Sequence, residues 1–266
     1  MPRFAANIQL MFKEYPFLDR FEAAKRAGFK AVECQSPYAH SIDDLRNAIA
    51  PTGLEFALIN TRPGDPAVDG FGLGAMPGFE AEFQARVDQA LDYAEALNVP
   101  KIHAMAGDCG DTSSNAACFI RNIREAGEKA ADRNKTILIE PLNPRDRPNY
   151  FLRSTVRAAD FLVEIGLANV QLQFDAYHVQ IIEGNVVHRF QQLEPLIGHV
   201  QIAGVPDRHE PDHGELDYPA FFRALDASGY RDWVGAEYHP RGKTEAGLDW
   251  AKPYGVIPLP PRAGND

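Results

Sequence analysis

Four residues of this chain have the chemistry of hard metal ligands and stand where a chain leaves a core strand. Glu140 closes TILIEP (136–141), Asp175 closes VQLQFD (170–175), Gln201 lies in HVQIA (199–203), and Glu237 lies in WVGAEY (233–238). A carboxylate at the end of a buried strand is costly unless it is paired, hydrogen-bonded or bound to a cation. Asp175 alone would read as a turn residue. Donors ending four consecutive strands read as a site. Three carboxylates brought together repel, and a divalent cation removes most of that cost. An all-oxygen set of three carboxylates and one amide carbonyl favours Mg²⁺ or Mn²⁺.

Other polar residues fall near the same strand ends. His178 follows Asp175 by three positions, on the segment expected to be an exposed polar loop, and could bind a substrate oxygen or move a proton. Arg208 is a candidate clamp for a substrate carboxylate, because its fork matches that group. The alternative for Arg208 is a surface ion pair with Glu210 or Glu215. His209-Glu210-Pro211-Asp212-His213 fits H-E-x-x-H, but that zinc motif requires a helix, and Pro211 and Gly214 mark a loop.

These residues need a scaffold that gathers strand ends. Runs of strand character fall at 3–10, 30–35, 54–60, 101–106, 136–141, 170–175, 199–203 and 233–238. Helical periodicity fills the intervals at 17–28, 41–50, 79–97, 114–133, 155–165, 186–196, 217–228 and 244–251. Ser41, Ser154 and Asp217 are N-caps, and Gly28 and Gly166 are stops. Eight alternating βα units predict an α/β fold, a single (β/α)₈ barrel over residues 1–256, in preference to an open doubly wound sheet. Residues 257–266 (IPLPPRAGND) read as a Pro-rich, loosely draped tail. The stretch 61–78 is long and glycine-rich and reads as a loop over the site. Its glycines do not match G-x-G-x-x-G, so it is not read as a nucleotide loop.

Composition excludes several function classes. The chain has 266 residues and a net charge of −10, which argues against tracking nucleic-acid phosphates but not against a small anionic substrate. No segment has the length of a membrane span. Three cysteines without a Cys-x-x-Cys pair, and no signal-peptide pattern, fit a cytoplasmic, reducing location.

The chain resembles the hydroxypyruvate isomerase family of xylose isomerase-like TIM barrels, which includes 2-oxo-tetronate isomerases. The likeness rests on RFAANIQLMF at the start, ILIEPLN (137–143), QFDAYHVQIIEG (173–184), GHVQIA (198–203), the R-x-E-P-x-x-G-E-L-x-Y run at 208–218, VGAEYHP (234–240) and TEAGLDW (244–250). It implies a metal held by Glu140, Asp175, Gln201 and Glu237. It implies that Glu140 and Glu237 face each other across the substrate as proton donor and acceptor. It also implies that His178, Arg208, Asn143 and Glu183 bind the substrate. The implied activity is aldose–ketose isomerisation of a short hydroxy-keto acid through an enediolate, first hydroxypyruvate to tartronate semialdehyde. A 2-oxo-tetronate isomerase and a ketose 3-epimerase are the near alternatives. A non-catalytic sugar-acid binding barrel and an endonuclease IV-like phosphodiesterase are the alternatives of a different class. A homo-oligomer is compatible with such barrels. The family's loop after the third strand typically carries D-W-x-x-G-E-R-G and then P-G-R. Here GDPAVDGFGLGAMPGF (64–79) has neither the Trp nor the arginines.

Overall fold

The structure, a computed structural model, describes residues 1–64 and 70–260. Eight parallel strands close in sequence order into a barrel. They are β1 (Arg3–Asn7), β2 (Ala31–Cys34), β3 (Glu55–Asn60), β4 (Lys101–His103), β5 (Thr136–Ile139), β6 (Val170–Asp175), β7 (Ile197–Ile202) and β8 (Trp233–Ala236). The ring closes where β1 pairs with β8, from Arg3 opposite Trp233 to Ala6 opposite Ala236. The helices are α1 (Arg20–Arg26), α2 (Ile42–Ile49), α3 (Glu80–Ala96), α4 (Ser113–Asp132), α5 (Thr155–Ile165), α6 (Ala176–Ile182), α7 (Val186–Leu193) and α8 (Tyr218–Ser228). The expected (β/α)₈ barrel is therefore the fold.

Period-two alternation has a specific meaning here. Phe174 points outward from β6 and meets Phe190 of α7 and Phe221 of α8, with ring centroids 5.7 and 6.2 Å away. The intervening polar residues of the strands fill the barrel's interior. Asn7, Glu33, Gln173, His199 and Gln201 are all buried and joined by hydrogen bonds. Below them, Ala5, Ala31, Ala57 and Trp233 form a small apolar plug. The interior is thus a packed polar column rather than the layers of branched aliphatic residues usual in such barrels.

The caps fall as expected. The hydroxyls of Ser41 and Ser154 and the carboxylate of Asp217 accept backbone N–H groups at the starts of α2, α5 and α8. Other local expectations change. β4 ends at His103 rather than 106, because Ala106 instead forms an antiparallel bridge with Gly72 of the long loop. Gly72 has φ +107°, and a Cβ there would lie 2.5 Å from the Met105 carbonyl oxygen, so close approach requires glycine. The run after Asp175 is not an exposed loop. It is the helix α6, N-capped by the Asp175 carboxylate, with Tyr177 and His178 only 3% and 2% exposed. The final segment, Thr244–Tyr254, is a 3-10 helix. The described part of the tail is seated rather than draped: the Leu259 N–H donates to the Arg26 carbonyl at 2.8 Å. Residues 261–266 lie outside the described residues. Among the described residues, no helix is long and apolar enough to cross a membrane.

Candidate active site

The C-terminal ends of the strands open into a cavity of about 320 Å³. Glu140, His178, Arg208 and Glu237 line it. Glu140 and Glu237 each stand one residue beyond their strands, β5 and β8, and Asp175 is the last residue of β6. All three carboxylates are 5% exposed or less. Ligand atoms of Glu140, Asp175 and His178 lie within 4.8 Å of one another, close enough to surround a metal ion.

Hydrogen bonds divide the work among these residues. Glu237 is pinned on both oxygens, one by the Gln35 amide and the other by Arg208 Nη2 at 2.9 Å. Glu140 Oε1 and Asp175 Oδ2, by contrast, are buried without a hydrogen-bond partner. Buried carboxylate oxygens left bare are costly. Their condition fits a divalent cation, since among the described residues Asp175 and Glu237 share the Arg208 guanidinium, which Asp146 also engages. Gln201 stands in register with Asp175 on the neighbouring strand. Its carbonyl oxygen accepts from Gln173 Nε2 at 2.6 Å, and its amide donates to Glu33 at 2.7 Å. One lone pair of that oxygen stays available for a cation.

His178 is oriented by Asn143. Its Nδ1 accepts the Asn143 backbone N–H at 3.1 Å, and a backbone amide can only donate. Burial, and then the Arg208 charge, lower the ring's pKa well below its usual value, so the ring is neutral. The proton of the neutral ring is therefore on Nε2, which lies 3.6 Å from Asp175 Oδ2. Asn143 also folds its side-chain oxygen onto the N–H groups of Arg145 and Asp146, at 3.0 Å each. It holds His178 and the loop rather than lining the cavity. Glu183 is not brought to the site either. Its carboxylate accepts from the Thr155 N–H and hydroxyl at 2.9 and 2.6 Å and pairs with Arg189, which ties the end of α6 to the start of α5. Expecting it at the substrate is corrected by this contact set.

Arg208 points inward, not onto the surface. It lies 2.9 Å from Glu237, 3.5 Å from Asp146 and 3.8 Å from Asp175. Its backbone is left-handed (φ +56°), a conformation that costs a non-glycine residue of order 1 kcal/mol and that places its side chain among the carboxylates. Glu210, the alternative partner, is buried against Arg241 at 2.8 Å. The H-E-x-x-H segment is a loop, as its proline predicts.

Electrostatics follow from burial. Burial, reinforced by Glu237 and Asp175, raises the Glu140 carboxyl well above its ordinary range. Burial pushes Glu237 up to about 8 against the opposing pull of Arg208, and Asp175 up to about 6. Burial opposes the charge on Arg208, yet the surrounding carboxylates hold its pKa above the usual value. Two protonatable glutamates at the same cavity are what proton transfer at neutral pH requires.

Asn60, His103 and Gln35 are among the lining residues that escape a reading confined to the last four strands. Asn60 ends β3, His103 ends β4 and Gln35 follows β2 directly. His103 has neither ring nitrogen hydrogen-bonded, and burial lowers it to about 3, so it is a neutral ring beside Glu140. Applying the strand-end rule to all eight strands would have found them.

Comparison with known proteins agrees with this fold. The family model described as "Xylose isomerase-like TIM barrel" matches residues 21–254. A 2-oxo-tetronate isomerase of Cupriavidus necator is 47% identical over 257 residues, covering 96% of this chain and 99% of the relative. Hydroxypyruvate isomerase of Escherichia coli is 39% identical over 257 residues, covering 96% of this chain and all (100%) of that protein. The crystal structure of a protein named AP endonuclease, family 2, from Brucella melitensis superposes with a TM-score of 0.92 at 44% identity, over 96% of this chain and 100% of that one. With its closed barrel, its carboxylates at the strand ends and full-length relatives at this identity, the chain belongs to the xylose isomerase-like TIM barrel family.

Proposed function

We propose that this protein is a metal-dependent aldose–ketose isomerase of a short, anionic hydroxy-oxo acid. The observation that carries the reading is the pair of buried glutamates with raised pKa values at one small cavity. The relatives support the substrate class, and the 47% identity to one 2-oxo-tetronate isomerase makes that four-carbon acid the first substrate to assay beside hydroxypyruvate. Glu140, Asp175, Gln201 and Glu237 would hold Mg²⁺ or Mn²⁺, matching a hard-oxygen donor set. When bound, such a cation polarises the carbonyl and hydroxyl oxygens of the substrate.

The chain's own residues do the rest. One glutamate takes the proton from the carbon beside the carbonyl, giving an enediolate. The other delivers a proton to the neighbouring carbon, the hydroxyl proton passes to the former carbonyl oxygen, and the carbonyl moves by one position. The Gln35 amide and Arg208 fix Glu237 in place. His178, with its proton on Nε2, donates toward a substrate oxygen. Neutral His103 adds a polar contact beside Glu140. The three unpaired cysteines fit a cytoplasmic location. The name of the Brucella protein, AP endonuclease, raises phosphodiester cleavage as another chemistry, but a net charge of −10 disfavours binding a polyanion.

The test is a panel of 2-oxo-tetronate, hydroxypyruvate and the uncharged ketose erythrulose, assayed on chelator-stripped protein and after reloading with Mg²⁺ or Mn²⁺. Turnover of an acid, lost on stripping and restored on reloading, is expected. Full activity in demonstrably metal-free protein, or turnover of erythrulose alone, sinks the reading.

A further inference from the structure

A substrate carboxylate entering a cavity lined by buried acids needs a cation that is not already committed. Arg208 is committed, because it balances Glu237, Asp175 and Asp146 at once. His103 and His178 are buried against the carboxylates of Glu140 and Asp175, at 3.4 and 3.6 Å. The remaining cation lining the cavity is Arg147, on the loop that follows β5 and Glu140. Its guanidinium carbon lies 3.7 Å from the centroid of the Phe71 ring, on the long loop after β3. Phe71 is itself held edge-on by Tyr150, which is fully buried, at 6.4 Å. Among the described residues, no carboxylate lies within ion-pair distance of Arg147. Its neighbour Asp146 is taken by Tyr177 and Asn143.

A guanidinium lying over the face of an aromatic ring meets no acceptor there, so its N–H fork remains free to match a carboxylate. The contact also fixes the side chain beforehand, which removes part of the entropy cost of binding. We propose that Arg147, braced on Phe71, is the clamp for the substrate's carboxylate, and that Arg208 serves the glutamates instead. This rests on the reading of an anionic hydroxy-oxo acid. It explains how a chain lacking the arginines typical of the loop after β3 still recognises an anion: that loop supplies an aromatic platform, and the loop after β5 supplies the charge.

Two variants test it. Arg147→Met keeps an apolar stem on Phe71 and removes the charge, and Arg147→Lys keeps the charge and loses the fork. Both are assayed by steady-state kinetics on 2-oxo-tetronate and erythrulose, and by calorimetric titration with tartronate, an unreactive small carboxylate. Losing a charge-assisted contact of this kind should raise KM for the acid about 10- to 100-fold in Arg147→Met. The value of kcat should stay within about threefold and erythrulose kinetics should not change, as expected for a contact made equally in the ground and transition states. Tartronate binding should weaken by the same factor, with Arg147→Lys in between. If the wild type turns over no acid, the parent reading fails, and the tartronate arm alone decides the clamp. A wild type and Arg147→Met that bind tartronate equally, or a wild type that binds none while its KM for the acid matches that of Arg147→Met, overturn the clamp.

Discussion

At the scale of single residues, Glu140 and Glu237 are alike in type but not in surroundings. Glu237 is gripped on both oxygens, whereas Glu140 keeps a bare oxygen. Replacing either with glutamine preserves size and an oxygen ligand but removes the proton-carrying group. Glu140→Gln and Glu237→Gln should retain fold and metal, checked by circular dichroism and metal analysis. Each should lose turnover by roughly 10²-fold or more, the usual weight of acid–base catalysis. A metal-loaded glutamine variant working near the wild-type rate would show that its glutamate is a ligand only. These carboxylates were legible in the sequence because a charge ending an apolar run has few physical excuses. Glu183 looked equally eligible there. What removes it is a contact with Thr155, on a helix that precedes it, which no local pattern could reveal. The tautomer of His178 was equally hidden, since it depends on the Asn143 backbone N–H reaching across from the β5 loop.

At the scale of elements, the strands were legible because their outer faces are apolar and their inner faces polar, which gives clean alternation. The helix α6 was not. It is short, it begins on a residue that already ends a strand, and its polar residues look solvated until the structure buries them. The inner faces of β2, β7 and β8 depend on one another. Glu33 of β2 accepts from Asn7 and Gln201 and pairs with His199 at 2.8 Å. It fits because β8 offers Gly235 opposite: a Cβ there would lie 2.3 Å from Glu33 Oε2. Gly235→Ala should therefore push the carboxylate out of its network and destabilise the barrel by about 1–3 kcal/mol, the usual cost of overpacking. It should also weaken metal binding, because Gln201 is oriented by Glu33. Denaturant unfolding and metal titration check both effects. A variant as stable as the wild type would mean that Glu33 has room to move, and that the column is looser than its distances imply.

For the whole molecule, the active site is an electrostatic debt carried by the fold. Three buried carboxylates face one guanidinium, and the metal-free protein settles the difference by holding protons on Glu140, on Glu237 up to about pH 8, and on Asp175 up to about 6. In the unfolded chain these groups return to ordinary values near 4.5 for Glu and 3.8 for Asp. Between those limits the folded state therefore binds more protons than the unfolded one. A raised carboxylate gives stability that is fully present below the unfolded value and is lost as pH rises through the folded value. The metal-free protein should thus lose thermal stability steadily from about pH 5 to about pH 8. A divalent cation bound as proposed would replace those protons, so its stabilising effect should grow over the same interval, with protons released on binding. At a hundredfold excess over Kd the gain is about 2.7 kcal/mol, or roughly 5–10 °C in Tm for a chain of this size. Scanning calorimetry at pH 5.5, 6.5, 7.5 and 8.5, with chelator and with Mn²⁺, measures both trends. A metal-free Tm that stays flat or rises between pH 5 and 8 would mean that the carboxylates are ionised in the folded protein. In that case the charge is balanced by Arg208 and water alone, and the metal is not what the cluster is built around.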